Sequence, residues 1–349
     1  MPAVCSQTGT GRQSRFFEFM GRLICGRADD TSNMTSGTKW AWLFRIAMET
    51  WSTSWELIRI MVPVMIVVKV LTEIGAITFL SALLEPVMSV IGLPGSLGLV
   101  WATAMFTTIY GGMAVFATLA STLDLTVAQV TVLCSAMLIA HALPIELSIS
   151  KKAGAPLWPI GLLRFFGALV YCFLLDRFCR GMGIWQQPAE LFFFTPSAHP
   201  TLAQWTLQQL LNLGLIIFVI FCILQIMRIL RYIGALGLLE KMLAPLLPFV
   251  GMSRNAAPLT VVGMIMGLGY GGALIIRETA KGTMNRKEIV YSMALMGLCH
   301  GLIEDTLLMV ALGGRLGGIL WGRILFSLIV VFLLVRILSI LPQKVKYPG

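Results

Sequence analysis

The 349 residues are 57% hydrophobic and only 12% charged, whereas a water-soluble domain usually carries about twice that charge. A soluble globular fold is therefore excluded for most of the chain, and its expected solvent is lipid. The formal charge of +10 comes from 26 Lys and Arg scattered between apolar runs, which argues against a nucleic-acid-binding tract and suits loop charges that meet anionic headgroups.

Residues 86–123, 125–145, 191–227 and 255–276 contain no Asp, Glu, Lys or Arg, and each run reaches the roughly 20 apolar residues that a spanning helix needs. Stretches such as 215–224 are apolar on every side rather than alternating, so helices are expected and barrel strands are not. The predicted fold is all-α, a polytopic bundle of about eight transmembrane spans. In chain order, residues 1–54 read as a tail and interfacial amphipathic segment, without the basic and apolar regions of a signal peptide. Trp40, Trp42, Trp51 and Trp55 form an aromatic belt ahead of the first span. A first unit, 55–180, holds spans near 55–70, 97–119, 128–149 and 157–175, with an amphipathic stretch that ends at Pro86. Residues 181–204, with Trp185, Pro188, Pro196 and Pro200, are the expected linker. A second unit, 205–340, holds spans near 205–227, 257–276, 288–309 and 318–340, and 341–349 is a C-terminal tail.

The two units repeat one pattern. Ile74-Gly75-Ala76, Leu84-Glu85-Pro86 and Ile91-Gly92 recur as Ile233-Gly234-Ala235, Leu243-Ala244-Pro245 and Val250-Gly251 at an offset of 159. Tyr110-Gly111-Gly112 matches Tyr270-Gly271-Gly272 at 160, and His141 matches His300 at 159 again. Lys69 aligns with Arg228 and Arg164 with Arg323. Chance agreement in apolar sequence favours Leu, Val and Ile, whereas two of only three histidines in the chain take equivalent places here. Lys151 and Lys152 follow the third span of the first unit, while Arg277, Lys281, Arg286 and Lys287 precede the third span of the second. With positive loops inside, the units are inverted. Four spans per unit would make them parallel, and a half-crossing segment in each, such as the amphipathic stretch, reconciles the two arguments.

Candidate working residues fall in pairs. Gly111 and Gly112, and Gly271 and Gly272 beside Tyr110 and Tyr270, are expected to break the second span of each unit near its middle. Such a break can offer backbone groups to a solute or ion; the same glycines can instead let helices pack closely. His141 with Glu146, and His300 with Glu304 and Asp305, place imidazole and carboxylate about one helical turn apart inside apolar sequence. They can bind a divalent metal, share a proton or hydrogen-bond a polar ligand, or merely tie helices together. Cys134 and Cys299 lie near the histidines, but adjacent residues on a helix face different ways, so metal ligands stay unassigned. Seven cysteines without a C-x-x-C pair give no disulfide framework. Arg164, Arg323, Lys69 and Arg228 lie near span ends, where snorkelling to the interface accounts for them. Glu278 suits a gate or loop ion pair. Signatures of phosphate-binding loops, serine hydrolases, zinc proteases and kinases are absent. Neither an enzyme, a cofactor nor nucleotide-powered transport is expected.

Residues 84–94, Leu-Glu-Pro-Val-Met-Ser-Val-Ile-Gly-Leu-Pro, and 243–252, Leu-Ala-Pro-Leu-Leu-Pro-Phe-Val-Gly-Met, each precede a Gly-broken apolar span. This pattern resembles the Gate, or nucleoside-recognition, membrane domain found in spore maturation proteins A and B, in the membrane part of the ferrous iron transporter FeoB and in relatives of nucleoside transporters. Where the spore maturation proteins carry G-L-G-N-A-A-T-P, Gly267-Leu268-Gly269-Tyr270-Gly271-Gly272-Ala273 keeps the glycines without the Asn and Pro. The resemblance implies an inner-membrane transporter or flippase-like carrier of a small polar or amphipathic solute, nucleoside-like, ionic or lipid-linked. The alternative is a non-transporting scaffold or envelope-maturation component. Expected partners are the lipid bilayer, a solute or ion, and a further copy or another membrane protein.

Overall fold

The computed structural model describes residues 55, 58–120, 123–191, 193, 201–253 and 256–340, all within a unit that runs from Ser54 to Gly349. The expectations for residues 1–54, for Pro196 and Pro200 and for 341–349 lie outside the described residues. Helix α1 (Ile58–Glu73) turns through 99° into α2 (Ala76–Val90), and the corner is Gly75, which sits in the left-handed region at φ 72. An L side chain resists that conformation and glycine does not. The same device recurs at Gly234, φ 74, between α8 (Leu202–Tyr232) and α9 (Ala235–Leu243). The remaining elements are α3 (Ser96–Phe106), α4 (Ile109–Leu119), α5 (Val127–Ile139), α6 (Leu143–Lys152) and α7 (Leu157–Gly181). In the second half a 3₁₀ turn over Ala244–Val250 leads to α10 (Ala256–Met266), α11 (Leu268–Ala280), α12 (Arg286–Leu298), α13 (Glu304–Ala311), a π turn over Gly317–Gly322 and α14 (Arg323–Ile340). Among the described residues there is no β-strand, only an isolated bridge between Thr126 and Pro188. Thr126, Thr201 and Asn285 each start a helix with a reciprocal capping box, closed by Gln129, Gln204 and Glu288.

The second span expected in each unit is instead a helical hairpin. A Cβ placed on Gly112 in α4 would lie 2.8 Å from Ala104 Cβ and 3.1 Å from the Val100 carbonyl in α3. In one straight helix Val100 would stand about 18 Å away. Likewise a Cβ on Gly271 in α11 would lie 2.3 Å from Gly263 Cα in α10. The reversals occur at Thr107–Thr108, where Thr108 is extended and its side chain caps α4 by accepting from Gly111 N–H, and at Gly267, φ 95. The glycine pairs are therefore not the breaks; they lie one turn beyond them, where the two arms touch. Arms of 11 to 13 residues extend about 16–20 Å, well short of a full hydrocarbon core.

Four helical stretches among the described residues are long and apolar enough to cross a bilayer: Val127–Lys152 (α5 in line with α6), Leu157–Gly181, Leu202–Tyr232 and Gly317–Ile340. Their outward faces are apolar. Leu162, Phe166, Val170, Leu174 and Phe178 form an exposed stripe along α7, and Trp321, Leu325, Ile329, Leu333 and Ile337 one along α14. Polar residues turn inward: Arg164 and Asp176 on α7, Arg323 and Ser327 on α14 are buried. Polar-in and apolar-out is the pattern of a helix whose solvent is lipid.

Corresponding helices of the two halves run antiparallel. At one end Gly154, just past α6, faces Ile289 at the start of α12, and at the other Gly313, just past α13, faces Val130 at the start of α5. Arg315 N–H donates to Thr131 Oγ1 at that same end. Helix α7 crosses α14 in the opposite sense, with Gly167 beside Phe326 and Leu175 beside Gly318. The beginning of the linker is tied to the first half, since Ala128 N–H donates to the Trp185 carbonyl and Ala189 N–H to that of Leu125.

Candidate solute and ion site

Both histidines lie where a long helix is interrupted. After α5 the chain passes Ala140 and His141 and enters Ala142, whose φ of 45 is rare for a residue with a side chain; Pro144 then starts α6 without needing an N–H. The second copy solves the same geometry with glycine, Gly301 at φ 58. Each interruption is pinned to a hairpin tip: Ala142 N–H donates to the Ala104 carbonyl at 2.9 Å, and Leu302 N–H to that of Met264 at 3.0 Å. Two hairpin tips and two helix breaks thus converge on one place.

The two imidazoles meet there. His141 and His300 are 6% and 2% exposed, and their Nε2 atoms are 3.3 Å apart. Glu146 Oε1 is 3.4 Å from His141 Nε2 and 3.1 Å from His300 Nε2. On the far side of each ring, His141 Nδ1 is 2.8 Å from the Met137 carbonyl and His300 Nδ1 is 2.7 Å from that of Met296. A carbonyl only accepts, so both Nδ1 atoms donate away from the site and both Nε2 atoms face its centre. The carboxylate of Asp305 lies close enough to join the two histidines around one point, these ligand atoms falling within 4.8 Å of one another. Tyr110, at the tip of the first hairpin, donates to Glu304 Oε1 over 3.5 Å.

Arg164 holds the first copy together. It is fully buried, not snorkelling at a span end. Its Nη1 pairs with Glu146 Oε2, Nε donates to the Ile139 carbonyl at 2.9 Å and Nη2 to the His141 carbonyl at 3.1 Å. Those two carbonyls belong to the interrupted turn, so the guanidinium satisfies groups the break sets free. Arg323 is equally buried, yet its Nη2 reaches Thr306 Oγ1 at 3.3 Å and, among the described residues, Nε and Nη1 have no hydrogen-bond partner. Recurrence of arginine at the same offset as histidine was the signal that could have marked both as interior.

Of the residues singled out from sequence, His141, Glu146, His300 and Asp305 come together, with Tyr110 and Glu304 paired alongside. Tyr270 is half-buried and makes no hydrogen bond to the cluster among the described residues; where Glu304 meets Tyr110, the equivalent of Glu304 in the first half is Ile145, which offers no acceptor. Gly111, Gly112, Gly271 and Gly272 are buried packing surfaces of the hairpins, and Gly272 faces Ile149 of α6. Cys134 points to the Met309 carbonyl, and neither it nor Cys299 joins the metal-competent group. Glu278 pairs locally with Lys281 at 2.6 Å and accepts from Thr283, the loop ion pair rather than a contact to the site.

Comparison with known proteins agrees with the membrane architecture. Residues 54–154, from α1 through α6 and including the first hairpin, His141 and Glu146, match the family model Gate, described as nucleoside recognition. The chain is also similar to YvoD, an uncharacterized membrane protein of Bacillus subtilis (strain 168), at 24% identity over 267 residues that cover 75% of this chain and 83% of the relative. No solved structure matches. The protein is an integral membrane protein with an all-helical fold, and its first half carries the Gate pattern.

Proposed function

We propose that the protein is a carrier of a small polar solute or ion in the inner (cytoplasmic) membrane, working without nucleotide hydrolysis through a site between two oppositely oriented halves. The observation that carries this reading is the meeting of His141 and His300 at 3.3 Å. Ionisable side chains are costly inside a membrane protein and mark substrate or ion pathways by default. Here they come from matching interruptions in two helices, beside half-length hairpins, which is the setting in which irregular backbone at membrane depth lines a binding site. Half-crossing hairpins also favour the inverted reading of the two halves. Counting the bent α1–α2 pair as one crossing beside α5–α6 and α7, and the hairpin as returning, the first half crosses an odd number of times, so the second half enters from the other side.

The test is flux into proteoliposomes that hold the purified full-length protein, with uridine, a divalent metal ion and a lipid-linked phosphate as probes. Flux of one of them is expected, and His141→Ala and His300→Ala should each remove most of it while the variants stay folded. A folded protein that moves none of the probes, or variants that move them as fast as the parent, would favour a scaffold or envelope-maturation role.

A further inference from the structure

We infer that the cluster of His141, His300, Glu146 and Asp305 is a binding site for a divalent first-row transition-metal cation. The inference rests on the carrier reading above and names the class of its cargo.

Both Nδ1–H groups are committed to backbone carbonyls, so the centre is bounded by two imidazole Nε2 atoms and a carboxylate oxygen. His141 Nε2, His300 Nε2 and Glu146 Oε1 form a triangle with edges of 3.3, 3.1 and 3.4 Å. Two imidazole nitrogens and a carboxylate oxygen at this spacing need a proton or a cation among them. Cations of this class hold nitrogen and oxygen ligands at about 2.0–2.2 Å, which separates neighbouring ligands in a tetrahedral shell by about 3.3 Å. The triangle therefore has the dimensions of one face of such a shell, with the Asp305 carboxylate close enough to complete it.

The surroundings fit the same occupant. A metal-binding histidine usually donates its other ring N–H to a carbonyl or carboxylate, which fixes tautomer and orientation; both histidines do so. Arg164 engages Glu146 through Oε2 and leaves Oε1 turned to the centre. Two imidazoles with carboxylates suit zinc, iron, cobalt, nickel or manganese, whereas magnesium and calcium prefer all-oxygen shells. Among the described residues no cysteine belongs to the cluster, so thiolate ligation is not part of the inference.

Cobalt(II) alone, titrated into tag-free full-length protein in detergent, tests this optically. Expected are visible d–d bands of a four- or five-coordinate ion, without a near-ultraviolet thiolate band, saturating at one ion per chain. His141→Gln and His300→Gln should weaken binding at least roughly tenfold and Asp305→Asn measurably, with melting in the absence of metal used to establish that each variant folds. Should a histidine variant fail to fold, Asp305→Asn and cobalt protection of the parent against melting carry the test. A centre that takes up only a proton would give no d–d bands, and that result, or cobalt binding unchanged in the folded histidine variants, overturns the inference. The carrier reading is judged separately. Uridine flux that depends on the histidines in a protein that binds no cobalt would leave the carrier and remove the metal, whereas histidine-dependent cobalt binding without flux of any probe would leave the metal site and remove the carrier.

Discussion

Arg164→Leu is expected to destabilise the folded protein by about 3–5 kcal/mol, the range for removing one partner of a buried ion pair. The loss has three parts: Glu146 loses its guanidinium partner, and the carbonyls of Ile139 and His141 lose their donors. Arg323→Met should behave in the opposite way, although the two arginines are equally buried and stand at equivalent positions. Arg323 has two unsatisfied nitrogens, and an apolar side chain of similar reach removes that burden, so stability should hold or rise. Thermal melting of both variants in detergent checks the contrast. Equal losses would mean that Arg323 has strong partners and that the two halves are bonded alike.

Gly271→Val is expected to abolish folding or to cost more than the about 1–3 kcal/mol typical of overpacking. The new Cβ would meet Gly263 Cα at 2.3 Å and Met296 Sδ at 2.7 Å. Methionine can swing away, but the backbone of the facing arm cannot move without opening the hairpin. Gly214→Ala, in the middle of α8 with nothing within 4 Å of the new carbon, serves as the control and should leave melting unchanged or raised, because alanine is the better helix former. Comparable yield and melting for Gly271→Val and Gly214→Ala would show that the arms of the second hairpin do not touch.

Much of the architecture is visible in the primary structure because membrane helices obey a coarse rule. Uncharged runs of sufficient length mark α5 and α8, long apolar stretches with few charges mark α7 and α14, and the offset of 159 aligns His141 with His300 and Glu146 with Asp305. Hairpins escape that rule. Residues 97–119 and 257–276 are as apolar as a crossing helix, and hydropathy does not register the direction in which a chain continues after Thr108 or Gly267. Small residues in such a run read equally as hinges or as contact surfaces; which of the two they are depends on the partner arm, a tertiary fact. Arg164 was misplaced for a related reason. Its position near the start of an apolar run suits snorkelling, and its interior role appears only once the break at Ala140–Ala142 supplies free carbonyls for it to bond. Tyr270 shows the limit of arguing from repeats, because recurrence of a residue does not ensure recurrence of its partner.

The account turns on two halves that face opposite ways and share one site, and side-specific cysteine labelling tests it most directly. In a cysteine-free background, single cysteines at Gly154 and at Gly282 report the loops that follow α6 and precede α12. Helices α5–α6 and α12–α13 run antiparallel, with Gly154 beside Ile289, so an impermeant maleimide should reach both cysteines from the same side of the membrane, the side of Lys151, Lys152, Arg286 and Lys287. Labelling of the two positions from opposite sides would contradict the inverted arrangement and, with it, the site between the halves.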